Sequence, residues 1–391
     1  MNLVKTIIQN HLPILQLCQK WYKRGFYMQA VDIHELMKIA VDRKASDLHI
    51  TVGRPPVLRV KKQLLDLDYD PLDSRMARNL IYSMLKEERQ EEFEKNFELD
   101  LAYECPGVGR FRVNVYWHKG FVGSALRVIE AKIKTLKEIG MPALLGELAM
   151  LPSGLIILTG PTGCGKSTTL AAMIDVINSR RSCHIVTIED PIEYIHFHKK
   201  SVVTQREVGS DTKTFAEALK RVLRQDPDVI LVGEMRDTES TEMAIRAAET
   251  GHLVLATLHT VDAPQTLDRI VDIFSPQQQD QIRMQLSGTL RAVISQQLLL
   301  RADGSGLVPA KEIMISTPGI RNLIRKGETH QLYTFMQTGK QSGMQTMNQC
   351  LRDMVAANII TKETAIANTQ NVEELRQLMG ERDIQAENIK R

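Results

Sequence analysis

The stretch Leu155-Ile156-Ile157-Leu158-Thr159-Gly160-Pro161-Thr162-Gly163-Cys164-Gly165-Lys166-Ser167-Thr168 decides the fold. An apolar, strand-like run enters a glycine-rich turn with G-x-x-x-x-G-K-S spacing. Thr169-Leu170-Ala171-Ala172-Met173-Ile174 then continues in a helical pattern. Strand, glycine-rich turn and helix in that order are the context a P-loop requires. Its glycines let backbone N–H groups converge on phosphates, and the new helix adds the positive end of its dipole. Lys166 is placed to reach the outer phosphates and the Ser167 hydroxyl to hold Mg²⁺. The implied ligand is a nucleoside triphosphate.

Working outward, the flanking pattern is that of a mainly parallel α/β sheet, with short apolar strands at Leu155–Thr159, His184–Ile188, Val229–Val232 and Leu253–Leu258. Two acidic clusters close two of these strands: Glu189-Asp190-Pro191-Ile192-Glu193, and Glu234 after Gly233. Ligands of such sheets gather at the carboxyl ends of the strands, so these acids should face the phosphates. Glu234 is assigned to the attacking water, directly or through Mg²⁺, with Glu189 as a further metal-side acid. His252 and His259 flank the strand Leu253–Leu258, and His259 is placed to sense the outermost phosphate. A hydrogen-bonded structural role is the plainer alternative for each. Thr214 should cap a helix reaching Arg224, and Asp237–Thr250 should form another stopped by Gly251. Long helices are expected over Pro264–Phe274 and Pro276–Leu300, then a strand through Pro309–Ile315 and helices to the end.

Residues 31–135 read as a small α+β domain. Ile33, Leu36, Met37 and Ala40 mark a helix face, and Asp73 caps a second helix. Three strand-like stretches follow at Phe97–Glu104, Arg110–His118 and Phe121–Ile129. In the middle one Phe111, Val113, Val115 and Trp117 point one way, with Arg110 and Arg112 on the other face. Residues 136–153 read as a linker and lead-in helix, and 154–391 as the nucleotide-binding domain.

With 391 residues, more than one core is expected. A net charge of +3 gives no support to a duplex-DNA binder. Five cysteines without a C-x-x-C pair argue against a disulfide framework and a structural zinc, and for a reduced, cytosolic setting. No apolar run has the roughly 18–20 residues of a membrane span. Residues 1–30 carry Lys5, Lys20, Lys23 and Arg24 but no acid. They are open to three readings: an untranslated or dispensable leader, a docking helix, or an interfacial membrane segment.

Together these motifs resemble the type IV pilus retraction ATPases, the PilT group of the secretion ATPase superfamily. The likeness rests on the Walker A loop, the aspartate box Thr187–Glu193, the atypical Walker B segment Asp226–Asp237 and the histidine box Thr250–Thr260. The segment Gly319-Ile320-Arg321-Asn322-Leu323-Ile324-Arg325-Lys326 is similar to the family's retraction motif. The resemblance implies a PAS-like N-terminal domain, a RecA-like C-terminal domain and a homohexameric ring binding ATP and Mg²⁺. Glu234 and Glu193 become the acids of hydrolysis, and Arg110, Arg112 and Arg127 the arginines that approach the phosphates. Gly160 to Thr168, Glu189, Asp190 and His252 become nucleotide-binding residues. An inner-membrane pilus platform protein is the implied partner, with a second retraction ATPase as an open addition and nucleic acid not expected. The implied place is the cytoplasmic face of the bacterial inner membrane.

The family's extension ATPases carry a tetracysteine zinc motif, whereas only Cys350 follows Glu234 here. An accessory PilU-like subunit, a secretion-system ATPase and a RecA-like nucleic-acid motor are the alternatives. Cys164 stands where serine or alanine is common. A thiol near a helix N-terminus invites a lowered pKa and redox control.

Overall fold

The computed structural model describes residues 31–60, 63–129 and 133–380, so the basic segment 1–30 lies outside the described residues. The chain divides into two compact units, residues 1–128 and 129–391. Among the described residues no helix is long and apolar enough to cross a membrane.

The first unit runs α1 (Ile33–Asp42), β1 (Asp47–Ile50), β2 (Val57–Val60), β3 (Gln63–Asp66), α2 (Ser74–Tyr82), α3 (Glu87–Asn96), β4 (Glu98–Cys105), β5 (Gly109–His118) and β6 (Phe121–Ile129). Its sheet has the order β3-β2-β1-β6-β5-β4. Asp32 and Asp73 cap α1 and α2 by accepting from His34 N and Met76 N. The core joins Leu36 and Met37 of α1 to Leu48, Phe93, Phe111, Val113 and Val115. On β5 the expected alternation holds: Phe111 is buried, Arg112 exposed and Arg110 half-buried. Arg127 of β6 pairs with Asp47 across the ladder at 3.1 Å. Strand β3 escapes sequence reading because all four of its residues are exposed and no alternation marks it.

The second unit runs α4 (Leu144–Ala149), β7 (Gly154–Thr159), α5 (Lys166–Arg180), β8 (His184–Glu189), β9 (Val202–Glu207), α6 (Phe215–Val222), β10 (Val229–Val232), α7 (Thr238–Glu249), β11 (Leu253–Thr257), α8 (Ala263–Asp272) and α9 (Pro276–Thr289). It continues through β12 (Leu290–Leu300), β13 (Leu307–Ile315), α10 (Pro318–Lys326), α11 (Leu332–Thr338), α12 (Met347–Ala356), α13 (Lys362–Ala367) and α14 (Val372–Leu378). The sheet order is β13-β12-β7-β11-β10-β8-β9. All neighbours are parallel except β12 and β13. β7 therefore sits inside the sheet, and alternate residues serve opposite faces. Leu155 and Ile157 join a core with α7, α8 and α9, while Ile156 and Leu158 join one with α4 and α5. Leu136, Met141 and Leu145 also enter the latter core.

One expectation is overturned. The helix read over Pro276–Leu300 ends at Thr289, and Leu290–Leu300 is a strand. The run pairs with β7 on one side and β13 on the other. Those ladders, together with the β-branched Val293 and Ile294, prevail over an ambiguous apolar pattern. Strand β9 was also not legible, since only its Val203 and Glu207 are buried at this sheet edge.

Glu312 of β13 is 2% exposed and accepts from Ala263 N at 2.9 Å and Met347 N at 3.4 Å, tying the starts of α8 and α12 to the sheet. Burial above all, then the Asp262 and Glu374 charges, raises its carboxyl from 4.5 to about 7. Between those values the native protein keeps a proton that the unfolded chain has released. Stability therefore falls as pH rises through that window, by about 3 kcal/mol at most. Thermal melts from pH about 5 to 7 should show a flatter dependence of Tm on pH for Glu312→Gln than for the parent.

Candidate nucleotide site

The phosphate loop leaves β7 at Thr159 and enters α5 at Lys166. Gly160 and Gly165 have φ of +138° and +91°, and space as well as conformation demands them. A Cβ on Gly160 would lie 2.2 Å from Gln296 O, and one on Gly165 2.8 Å from Gln296 Nε2. Gln296, on β12, braces the loop from below. Its Nε2 donates to Cys164 O at 2.6 Å, and its Oε1 accepts from Thr169 Oγ1 at 2.9 Å. The Lys166 ammonium folds back along the loop, donating to Gly160 O at 2.7 Å and Pro161 O at 3.2 Å. Burial lowers the Lys166 pKa, while Cys164 and then the Glu234 and Glu193 charges act in the opposite direction.

Strand β10 delivers Glu234. Gly233 N donates to Ile188 O at 2.7 Å, and a Cβ on Gly233 would come within 3.1 Å of that oxygen. The Thr257 hydroxyl bonds Gly233 O from the other neighbouring strand. So anchored, the Glu234 side chain is 19% exposed and lies between two bases. His259 Nε2 is 3.2 Å from one carboxylate oxygen and Arg236 Nη2 2.8 Å from the other. Glu189 ends β8, accepting from Thr187 Oγ1 at 2.6 Å and Gln205 Nε2 at 3.2 Å. Gln205 also donates to Tyr194 O, and the Tyr194 and Thr168 hydroxyls share a bond of 2.8 Å.

A cavity of about 530 Å³ opens among these groups, large enough for a nucleotide. Of the residues singled out from sequence, Thr162, Gly163, Gly165, Lys166, Ser167 and Thr168 line it, as do Glu189, Asp190, Glu193, Glu234 and His259. Gly160 and Pro161 contribute the carbonyls that hold Lys166. Arg110, Arg112 and Arg127 belong to the first unit. The glycine cradle, a buried ammonium and a hydroxyl at the first turn of α5 suit a Mg²⁺-bound polyphosphate. Among the described residues no group of three or more His, Cys, Asp and Glu could hold a metal. Mg²⁺ would thus depend on Ser167, a nearby carboxylate and the phosphates themselves.

Two expectations need correction. His252 stands at the amino end of β11, opposite His259, and its Nδ1 lies 2.9 Å from Ala247 O and 3.2 Å from Thr250 Oγ1. It is a structural histidine that ties the strand to the end of α7. Cys164 is 3% exposed, and burial raises its pKa despite the nearby Lys166. The thiol faces the interior, so the helix terminus does not activate it. Sequence reading missed Gln296, hidden in the supposed helix, and Arg236, whose only signal was its place two residues past Glu234.

The family of Type II/IV secretion system proteins matches residues 123–387. The Type IV pilus retraction ATPase PilT of Pseudomonas aeruginosa is 47% identical over 335 residues, covering 86% of this chain and 97% of that protein. This chain is a secretion ATPase of the PilT family. The Type IV pilus ATPase PilU of Pseudomonas aeruginosa is 42% identical over 346 residues, covering 88% and 91% of the two chains. A crystal structure of the pilus retraction motor PilT with bound ADP superposes with a TM-score of 0.84 at 48% identity, covering 89% of this chain and 99% of that one. The β/α arrangement around β7 in this PilT-family chain is thus a RecA-like ATPase fold.

Removing the brace should loosen the cradle without touching a phosphate contact. Gln296→Ala leaves Cys164 O and Thr169 Oγ1 without their partner, and calorimetric ADP affinity should fall by roughly tenfold.

Proposed function

We propose that this PilT-family ATPase is a homohexameric motor that uses ATP hydrolysis to withdraw type IV pilus subunits at a membrane platform protein. The observation that carries the reading is the placement of Glu234 in the Lys166 cavity, held by His259 and Arg236. Lys166 and the loop N–H groups bind and orient the triphosphate, and Ser167 with Glu189 or Glu234 holds Mg²⁺. The ion supplies charge neutralisation on the phosphate oxygens. Glu234 aligns the attacking water and accepts its proton at a carboxylate oxygen. Arg236 and His259 keep that carboxylate aimed. Glu193, which also lines the cavity, is carried as the second acid of hydrolysis on the family resemblance. Arg110, Arg112 and Arg127 are carried in the proposal on the family resemblance.

The location proposed is the cytoplasmic face of the inner membrane. The 42% identity to PilU supports a second reading, an accessory subunit that joins a principal retraction ATPase. Deletion of the gene separates the two: loss of twitching with excess surface pili for the principal motor, a milder defect for the accessory one.

Purified protein should hydrolyse ATP with Mg²⁺ present. Glu234→Gln should keep nucleotide affinity within about threefold while turnover falls by roughly 10²-fold or more, the scale of a lost general base. Unchanged turnover in that variant would remove Glu234 from the mechanism.

A further inference from the structure

At the start of β7, away from the nucleotide cavity, two arginines are held together without an ion-pair partner among the described residues. Arg291, the second residue of β12, turns across Gly154. Its Nε donates to Ser153 O at 3.1 Å and its Nη1 to Gly288 O at 3.0 Å. Gly154 is fitted to it, since a Cβ there would lie 2.5 Å from Arg291 Cγ and 2.6 Å from Nε. Ser316 links this arginine to α10: its N donates to Arg291 O at 2.9 Å, and its O accepts from Arg321 Nε at 3.1 Å.

Both side chains are bound through carbonyls, and among the described residues neither forms an ion pair. Burial, and then the Arg321 charge, pushes the Arg291 guanidinium down from its usual range. No acid relieves the pair from α10, whose sequence PGIRNLIRK holds only cations among its charged residues. Ser316 itself is 5% exposed, and its Oγ is buried without a hydrogen-bond partner among the described residues. Two like charges beside an unused hydroxyl form an arrangement that an anion would complete.

We propose that Arg291, Arg321 and the Ser316 hydroxyl form a receptor for a carboxylate on an acidic segment of a partner protein. Guanidinium forks match a carboxylate in a planar, two-point geometry. Both arginines are half-buried, which favours a side chain reaching inward over the flat headgroup surface of a membrane. None of the three residues lines the nucleotide cavity. Through Arg291 the receptor nevertheless abuts the start of the strand that carries the phosphate loop, at the end opposite that loop. An acidic segment docked there bears on β7 without touching the nucleotide. The proposal stands or falls independently of the hydrolysis mechanism.

The test uses the full-length protein and a fluorescein-labelled peptide of repeating Glu-Ser, with a Gln-Ser peptide as control. Fluorescence anisotropy at low salt should give about tenfold or greater preference for the Glu-Ser peptide. Arg321→Gln should abolish that preference while ADP binding, which also reports folding, is unchanged. Arg291→Gln is less suitable because Arg291 also secures Ser153 and Gly288. Equal binding of the two peptides, undiminished Glu-Ser binding by Arg321→Gln, or binding only to vesicles containing phosphatidylglycerol would each overturn the proposal.

Discussion

The second unit depends on one side-chain amide. Gln296 holds the carbonyl of Cys164 and the hydroxyl of Thr169, fixing the last residues of the loop and the first turn of α5 in relation to β12. A phosphate cradle works only if its N–H groups are aimed before the ligand arrives, since ordering a loose loop costs roughly 1–2 kcal/mol per residue. The close approach of Gly160 and Gly165 to Gln296 is the steric side of the same constraint. Glycine is needed less for freedom of motion than for room.

Charge is arranged with similar economy. Lys166 is buried, which disfavours its charged form, and Glu234 and Glu193 act against that tendency. Glu234 in turn is held between His259 and Arg236. Cation and anions thus stand within one cavity without a lone buried charge, a combination that low dielectric would otherwise penalise heavily. The glycine before Glu234 allows the chain leaving β10 to pass close to Ile188 O, which accounts for the one residue between the strand and the acid.

Most of this was legible. Four apolar residues and a threonine before a glycine-rich turn leave little choice but a buried strand and a P-loop, and acids at strand ends follow from the parallel sheet. What stayed hidden was non-local. Leu290–Leu300 carries an apolar pattern compatible with either structure, and only pairing with β7 and β13 makes it a strand. Gln296 inherited that ambiguity. His252 and Cys164 were misplaced for a related reason: motif membership gives position along the chain, not which end of a strand or which side of a loop a group occupies. The pair of Arg291 and Arg321 could not be seen at all, because its two members meet through Ser316 rather than through sequence spacing.

The place of β7 in the sheet has a consequence for biosynthesis. Its neighbours are β11 and β12, both made long after it, and its loop is braced by Gln296 of the latter strand. On the ribosome, the Walker segment emerges early and must wait exposed while the intervening strands and helices are translated. Competence to take up nucleotide therefore arises late and abruptly, when β12 slots alongside β7. A chain truncated before residue 290 would carry every residue of the Walker motif and lack the scaffold that shapes it.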